Sequence, residues 1–288
     1  MKIVVLCENS PSSPEFEAEH GLSFYVETST RRFLFDFGAT SVFLRNAERL
    51  GVDVSTVDAA FLSHGHRDHG GGLATFWEKN TKALVYASEK ALQSYYSLRP
   101  TGEYADIGVR VAPEFEARIV RTPTAATFAL DAETILFSDG TSDPPEFRSE
   151  GNATLFERFD AASEREGKRD EYRPDRFLHE QHLIATTEAG RKILFVGCAH
   201  RGIVSAMTRA TEILGAAPDV AIGGFHLSIP SRGVPIPDET LDAIAERLRA
   251  WPTRYFTGHC SGRVAFERAQ RTLGSQIAYF AAGDCLEL

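Results

Sequence analysis

The chain has 288 residues, 43% of them hydrophobic and 25% charged, an ordinary globular composition with room for one large domain or two small ones. Lys and Arg number 31 against 40 Asp and Glu, a formal charge of −9, so no general cationic field exists to collect nucleic acid or anionic lipid. No run of about 18 apolar residues is long enough for a membrane span, and Lys2–Leu6 meets Glu8 without the longer apolar core of a secretory signal, so a cytoplasmic location is expected.

In chain order, Lys2–Leu6, Leu22–Glu27 and Arg32–Phe35 are β-branched and aromatic runs separated by turn-rich segments, and they predict strands. The spacing of Val42, Phe43, Ala47 and Leu50 predicts a helix over 41–50, with Gly51 placed to stop it. A buried strand over 58–63 follows, then a histidine cluster, a helix at Leu73–Lys79 and a strand at Ala83–Ala87. Asp143–Arg176 carries ten acidic and seven basic residues in 34 without clean periodicity, and is expected to be either a solvated excursion or a lid over the site. Beyond it, Leu183–Thr187, Lys192–Val196, Val220–Ile222, Tyr255–Thr257 and Ile277–Ala281 read as strands, and Ile203–Leu214, Asp238–Ala250 and Val264–Leu273 as helices. The alternation is that of an α/β fold in a single domain over 1–288, with the charged segment as an insertion.

Four scattered cysteines with no CxxC pair suggest neither a disulfide framework nor a zinc ribbon. The nine histidines are distributed unevenly: three lie in Ser63-His64-Gly65-His66-Arg67-Asp68-His69, and the next is His179. In extended backbone His64 and His66 project the same way and can grip one ion, while Asp68 and His69, on the turn beyond, can face a second. The remaining ligands must come from the C-terminal third. His200 and His259 each follow a predicted strand beside glycine and are assigned as ligands; His226, placed likewise, is assigned to the lining of the site. His179 and His182 carry weaker signals, and His20 reads as a surface residue.

Asp36 in Leu34-Phe-Asp36-Phe-Gly38, the SHGHRDHGGG block and the later strand-end histidines resemble the metallo-β-lactamase superfamily along essentially the whole chain. Gly197-Cys198-Ala-His200, Gly223-Gly-Phe-His226 and Gly258-His259-Cys260 further resemble the dihydropterin-6-yl-methyl-ribofuranosylaminobenzene-phosphate synthase subgroup. The resemblance implies an αββα sandwich with a dinuclear site at the edge of its two sheets. His64, His66 and His200 would hold one ion, Asp68, His69 and His259 the other, and Asp36 would support the ligand loop through hydrogen bonds. Where most of the superfamily has a bridging aspartate this chain has Cys198. Either Cys198 is a thiolate ligand, or His200 substitutes for two usual ligands, or only one ion is held tightly, or Cys198 is a buried inert thiol.

The expected cofactors are two divalent ions, zinc first, with manganese or iron as other fits, and the expected chemistry is hydrolysis of an ester, phosphoester or similar small molecule, phosphorylated ones included. Asp68 and His226 are the catalytic candidates. The alternatives are a synthase-like transfer releasing pyrophosphate, with Arg67, Arg201, Arg232 and Arg263 near an anionic substrate, and a non-catalytic metal-binding sensor.

Overall fold

In the first strand, Lys2–Cys7, Ile3 and Val5 enter one apolar cluster while Val4 and Leu6 enter another, and all four are buried. A strand with no polar face needs cover on both sides, and this one requirement sets the layering of the molecule. The computed structural model describes residues 1–124, 126–138, 150–159, 171–229 and 232–288.

Two seven-stranded sheets stack face to face. The first runs, edge to edge, Cys285–Glu287, Lys2–Cys7, Ser23–Glu27, Arg32–Phe35, Ala59–Leu62, Leu84–Ser88 and Ile119–Thr122. The second runs Ile277–Tyr279, Arg254–Gly258, Val220–Gly224, Lys192–Val196, His182–Thr186, Thr134–Phe137 and Thr127–Ala129. Between them lie Ile3, Val5, Phe24, Phe33, Phe35, Phe61, Ile193, Phe195 and Ile222, with the Phe195 ring 5.8 Å from that of Phe33 and 5.7 Å from that of Phe35. Helices Val42–Arg49 and Leu73–Lys79 cover the outer face of the first sheet through Val42, Phe43, Phe76 and Trp77. Helices Ile203–Leu214, Asp238–Arg249 and Arg263–Leu273 cover that of the second. The architecture is the expected αββα sandwich, and no helix among the described residues is long and apolar enough to cross a membrane.

Both sheets are mixed. In the first, Arg32–Phe35, Ala59–Leu62 and Leu84–Ser88 are parallel neighbours; in the second, Lys192–Val196, Val220–Gly224 and Arg254–Gly258 are. Parallel neighbours end at the same edge, so the loops that follow them are brought together by sheet topology.

The charged segment departs from its sequence reading. Residues 143–149 and 160–170 of it lie outside the described residues, but Leu155–Phe159 and Glu171–Pro174 are strands. They pair with each other and, through Tyr95–Leu98, with Tyr104–Asp106, forming a separate four-stranded sheet. Its charges mask the strand period because they pair locally: Arg173 and Arg176 both donate to the buried Glu157 carboxylate, at 2.5 and 3.1 Å.

The inner aromatic layer carries a measurable share of stability. Phe195→Ala, which empties a fully buried position between the sheets, is expected to lower unfolding free energy by about 3–5 kcal/mol, read as a lower denaturant midpoint; an unchanged midpoint would show that the layer repacks.

Candidate metal centre

The loops at the shared strand edge carry six of the nine histidines. Ala59–Leu62 leads into Ser63–His66, where the backbone bends at His64 and Gly65 instead of continuing extended as expected, and one turn of helix, Arg67–Gly70, presents Asp68 and His69. Lys192–Val196 delivers Cys198 and His200, Val220–Gly224 delivers His226, and Arg254–Gly258 delivers His259. Gly197 makes the approach of the two sheets' loops possible: a Cβ there would lie 2.1 Å from Ser63 Oγ and 3.1 Å from His64 Nδ1.

The side chains form two groups around one sulfur. The rings of His64, His66 and His200 have centroids 4.6 to 4.9 Å apart. In the other group His69 Nε2 is 3.1 Å from His259 Nε2, and Asp68 Oδ2 is 3.7 and 3.4 Å from those two nitrogens. Cys198 Sγ belongs to both: with His64 and His200, and again with His69 and His259, its ligand atoms fall within 4.8 Å.

The hydrogen-bond network assigns the protons on four of these rings. His69 Nδ1 donates to Asp36 Oδ2 at 2.7 Å. His259 Nδ1 donates to Asn9 Oδ1 at 2.9 Å, and His200 Nδ1 to Asn152 Oδ1 at 3.0 Å. Ser63 Oγ spends its own proton on Asp36 Oδ2 at 2.7 Å and so accepts from His64 Nδ1 at 2.8 Å. A neutral imidazole with its proton on Nδ1 has a bare lone pair on Nε2. Yet His69 Nε2 faces His259 Nε2 at 3.1 Å, and His64 Nε2 faces His200 Nε2 at 3.3 Å. Two lone pairs at that separation repel unless a proton or a cation lies between them. Imidazole, carboxylate and thiol groups suit a divalent metal such as zinc, so the donor set fits the ions that its residues predict.

Electrostatics keep most of these rings ready for a cation. Burial, reinforced by its histidine neighbours, pushes His64 and His200 well below the usual imidazole range, and burial lowers His66 and His259. His69 is the exception: burial opposes its charge, but the carboxylates of Asp36 and Asp68 outweigh it and raise the ring to about 9. Asp68 stays ionised because His69, His20 and His259 outweigh its own burial cost. Of the two adjoining thiols, burial disfavours charge on both, and the contact between them together with His226 leaves Cys260 the more acidic and Cys198 the less.

Three buried carboxylates hold the ligand loops by their backbone. Asp36 accepts from Ser63 N at 2.7 Å, Glu8 from His259 N at 2.6 Å, and Glu180 from His200 N at 2.8 Å and Arg201 N at 3.0 Å. Asp36 sits at φ 61°, and Ala199, His226 and His259 also have φ near 50°. Left-handed backbone at non-glycine residues is costly and is concentrated here on the loops that carry the site.

The structure thus brings together His64, His66, Asp68, His69, Cys198, His200 and His259, with His226 beside them, its ring 4.3 Å from His200. His20, read as surface, is exposed, yet it reaches the site: its Nε2 is 3.3 Å from Asp68 Oδ2 and its ring lies 4.8 Å from His259. His179 accepts from Gly65 N at 2.9 Å and bonds Asp175 at 3.0 Å, so it anchors the HxH segment from behind, whereas His182 packs on Phe137 in the sheet. Glu8, Asn9, Asn152 and Glu180 were not legible beforehand; the pairing of Glu180 with two nearby histidines was the nearest signal. Above the cluster opens a cleft of about 670 Å³, lined among others by His20, Arg67, Arg99, Thr154, His226 and Ser228. Of the arginines expected at the site only Arg67 lines it. Arg201 is buried and donates to Arg176 O, Arg263 lies over Tyr279 at 4.1 Å, Arg232 is not among the lining residues, and Arg99 is there unexpectedly.

The sequence profile of the Metallo-beta-lactamase superfamily matches residues 17–232. An uncharacterized protein of Methanocaldococcus jannaschii is 27% identical over 98% of this chain and 96% of its own. The 7,8-dihydropterin-6-methyl-4-(beta-D-ribofuranosyl)-aminobenzene-5'-phosphate synthase of the same organism is 26% identical over 91% of this chain and 88% of its own. Among solved structures, a metal-dependent hydrolase of the beta-lactamase superfamily is 26% identical, with a TM-score of 0.77 over 100% of this chain and 99% of that one.

Asp36→Asn keeps a residue that tolerates positive φ but puts an amide donor or a neutral oxygen against three donors. Metal affinity, measured by competition with a chromophoric chelator, is expected to fall about 10–100-fold, and unchanged affinity would remove Asp36 from any role in holding His69.

Proposed function

The chain belongs to the metallo-beta-lactamase superfamily, and from that premise we propose that it is a metal-dependent hydrolase of a small, anionic ester or phosphoester. The observation that carries this reading is the convergence of imidazole Nε2 atoms in two groups around Cys198. His64, His66 and His200 would hold one ion and Asp68, His69 and His259 a second, with Cys198 between them. Zinc is the best match to the donor set. Such ions supply Lewis acidity and bring the pKa of a bound water near neutrality.

The remaining steps are assigned to the protein's own groups. Asp68, 22% exposed and ionised, lines the cleft, where it can orient a water and accept its proton. His20, at 3.3 Å from Asp68 and half exposed, offers that proton a route to solvent. His226 lines the cleft beside His200 and is positioned to contact substrate. Arg67 and Arg99 are exposed at the cleft and have no acidic partner among the described residues, so an anionic group on the substrate would find two cations there. The same pair supports the second reading, a transferase that releases pyrophosphate from a phosphoribosyl substrate, which the 26% identical synthase favours.

A panel of phosphodiesters, thioesters, lactones and phosphoribosyl pyrophosphate analogues, run with metal-loaded protein, tests both. Hydrolysis in the absence of any acceptor is expected; pyrophosphate release that requires an aminobenzoate acceptor would replace the hydrolase reading with the transferase. His66→Ala should lose about one ion per chain and lower turnover by more than the roughly 10–100-fold that loss of an outer partner costs. If metal content by elemental emission and turnover both survive in His66→Ala, the site assignment fails.

A further inference from the structure

The floor of the cleft carries one group of ligand atoms that neither imidazole set uses in full. Cys198 Sγ, Cys260 Sγ and a ring nitrogen of His226 lie within 4.8 Å of one another, and all three residues are buried. Each lies two residues beyond the end of one of three adjacent parallel strands, Lys192–Val196, Val220–Gly224 and Arg254–Gly258, so the sheet brings the three loops that carry them side by side. The backbone is shaped for the second sulfur: a Cβ at Gly224 would lie 2.5 Å from Cys260 Sγ, and only glycine leaves that space. Cys260 Sγ rests 3.7 Å from the Cys198 carbonyl oxygen, a weak contact that fixes the thiol's direction. His226 is held at φ 48°, which turns its ring toward this floor and toward His200.

The chemistry of this triad differs from that of its neighbours. Each imidazole group can draw on one sulfur, Cys198, whereas this one offers two sulfurs and one nitrogen. Two thiolates favour a soft, thiophilic cation over the harder ions that carboxylate and water ligands suit. We propose that Cys198, His226 and Cys260 form a further metal site, adjoining the two imidazole groups and sharing Cys198 with them, that takes a thiophilic divalent ion. Binding expels the two thiol protons to solvent and leaves the sulfurs as thiolates. The proposal goes beyond the hydrolase reading: two of its three ligands, His226 and Cys260, belong to neither imidazole group.

Cadmium is the probe, because a thiolate–cadmium bond gives a near-ultraviolet charge-transfer band that imidazole and carboxylate ligands do not. Reduced, metal-free protein is titrated in a Cys285→Ser background, since Cys285 is the exposed thiol, and the band is compared with cadmium bound per chain. Cys260→Ser is expected to lose about half of the band and one equivalent of cadmium, because Cys198 remains to serve the imidazole groups. His226→Gln, which leaves both sulfurs in place, is expected to bind that same equivalent about 10-fold more weakly or worse, and it gives a second reading if Cys260→Ser does not fold. A full band and unchanged stoichiometry in Cys260→Ser, or unchanged affinity in His226→Gln, overturns the site. Zinc content in His66→Ala reports on the imidazole groups separately, so failure here and failure of the hydrolase reading are distinguishable.

Discussion

Everything at this edge of the molecule depends on where four protons sit. Asp36, Asn9, Asn152 and Ser63 each accept from the Nδ1 of one ring and so leave the opposite nitrogen, Nε2, directed into the site. His64 and His200, kept neutral by burial, face each other with bare lone pairs at 3.3 Å, an arrangement that attracts a cation, whereas His69, raised to about 9, meets the His259 lone pair at 3.1 Å with a proton that a metal ion would displace. The partners that fix the protons come from distant parts of the chain: Asn9 from the loop after the first strand, Asn152 from the charged segment, Asp36 from the end of the third strand.

Holding that arrangement requires rigid backbone, and the molecule obtains it with buried carboxylates. Asp36, Glu8 and Glu180 are each taken out of water, at a desolvation cost offset by two to four hydrogen bonds from backbone or hydroxyl donors. Part of the chain's acidic excess therefore lies inside it. Strained left-handed residues cluster on the same loops, which is where a surrounding scaffold can hold backbone that would otherwise relax. The sandwich provides that scaffold through its doubly covered strands and the aromatic layer around Phe195.

The four-stranded sheet connects the charged segment to this core. Asn152, just before the strand Leu155–Phe159, fixes the proton on His200 and also donates to the His200 carbonyl at 2.6 Å, while Asp175, just after Glu171–Pro174, anchors His179. A segment that shapes the cleft wall thus also orients a candidate ligand, so changes in that wall and changes in the metal centre are coupled through a few hydrogen bonds.

By itself the sequence determined the layered α/β fold, because strands apolar on both faces admit little else, and it determined the HxHxDH block, because ligands so close in the chain stay close in space whatever the local backbone. It also located His200, His226 and His259, since each follows a recognisable strand beside glycine. It could not assign Cys198: its role depends on lying between two groups whose own members are more than 100 residues apart in the chain. Nor could it show that the exposed His20 reaches Asp68, or find Glu8, Asn9, Asn152 and Glu180, whose importance comes from the atoms they meet and not from any pattern they form. Charge pairing on Glu157 likewise hid two strands, because alternation of burial is legible in a sequence only when the buried side is apolar. Only tertiary structure decided these points, because hydrogen bonds between distant segments select partners by position, and position is not local.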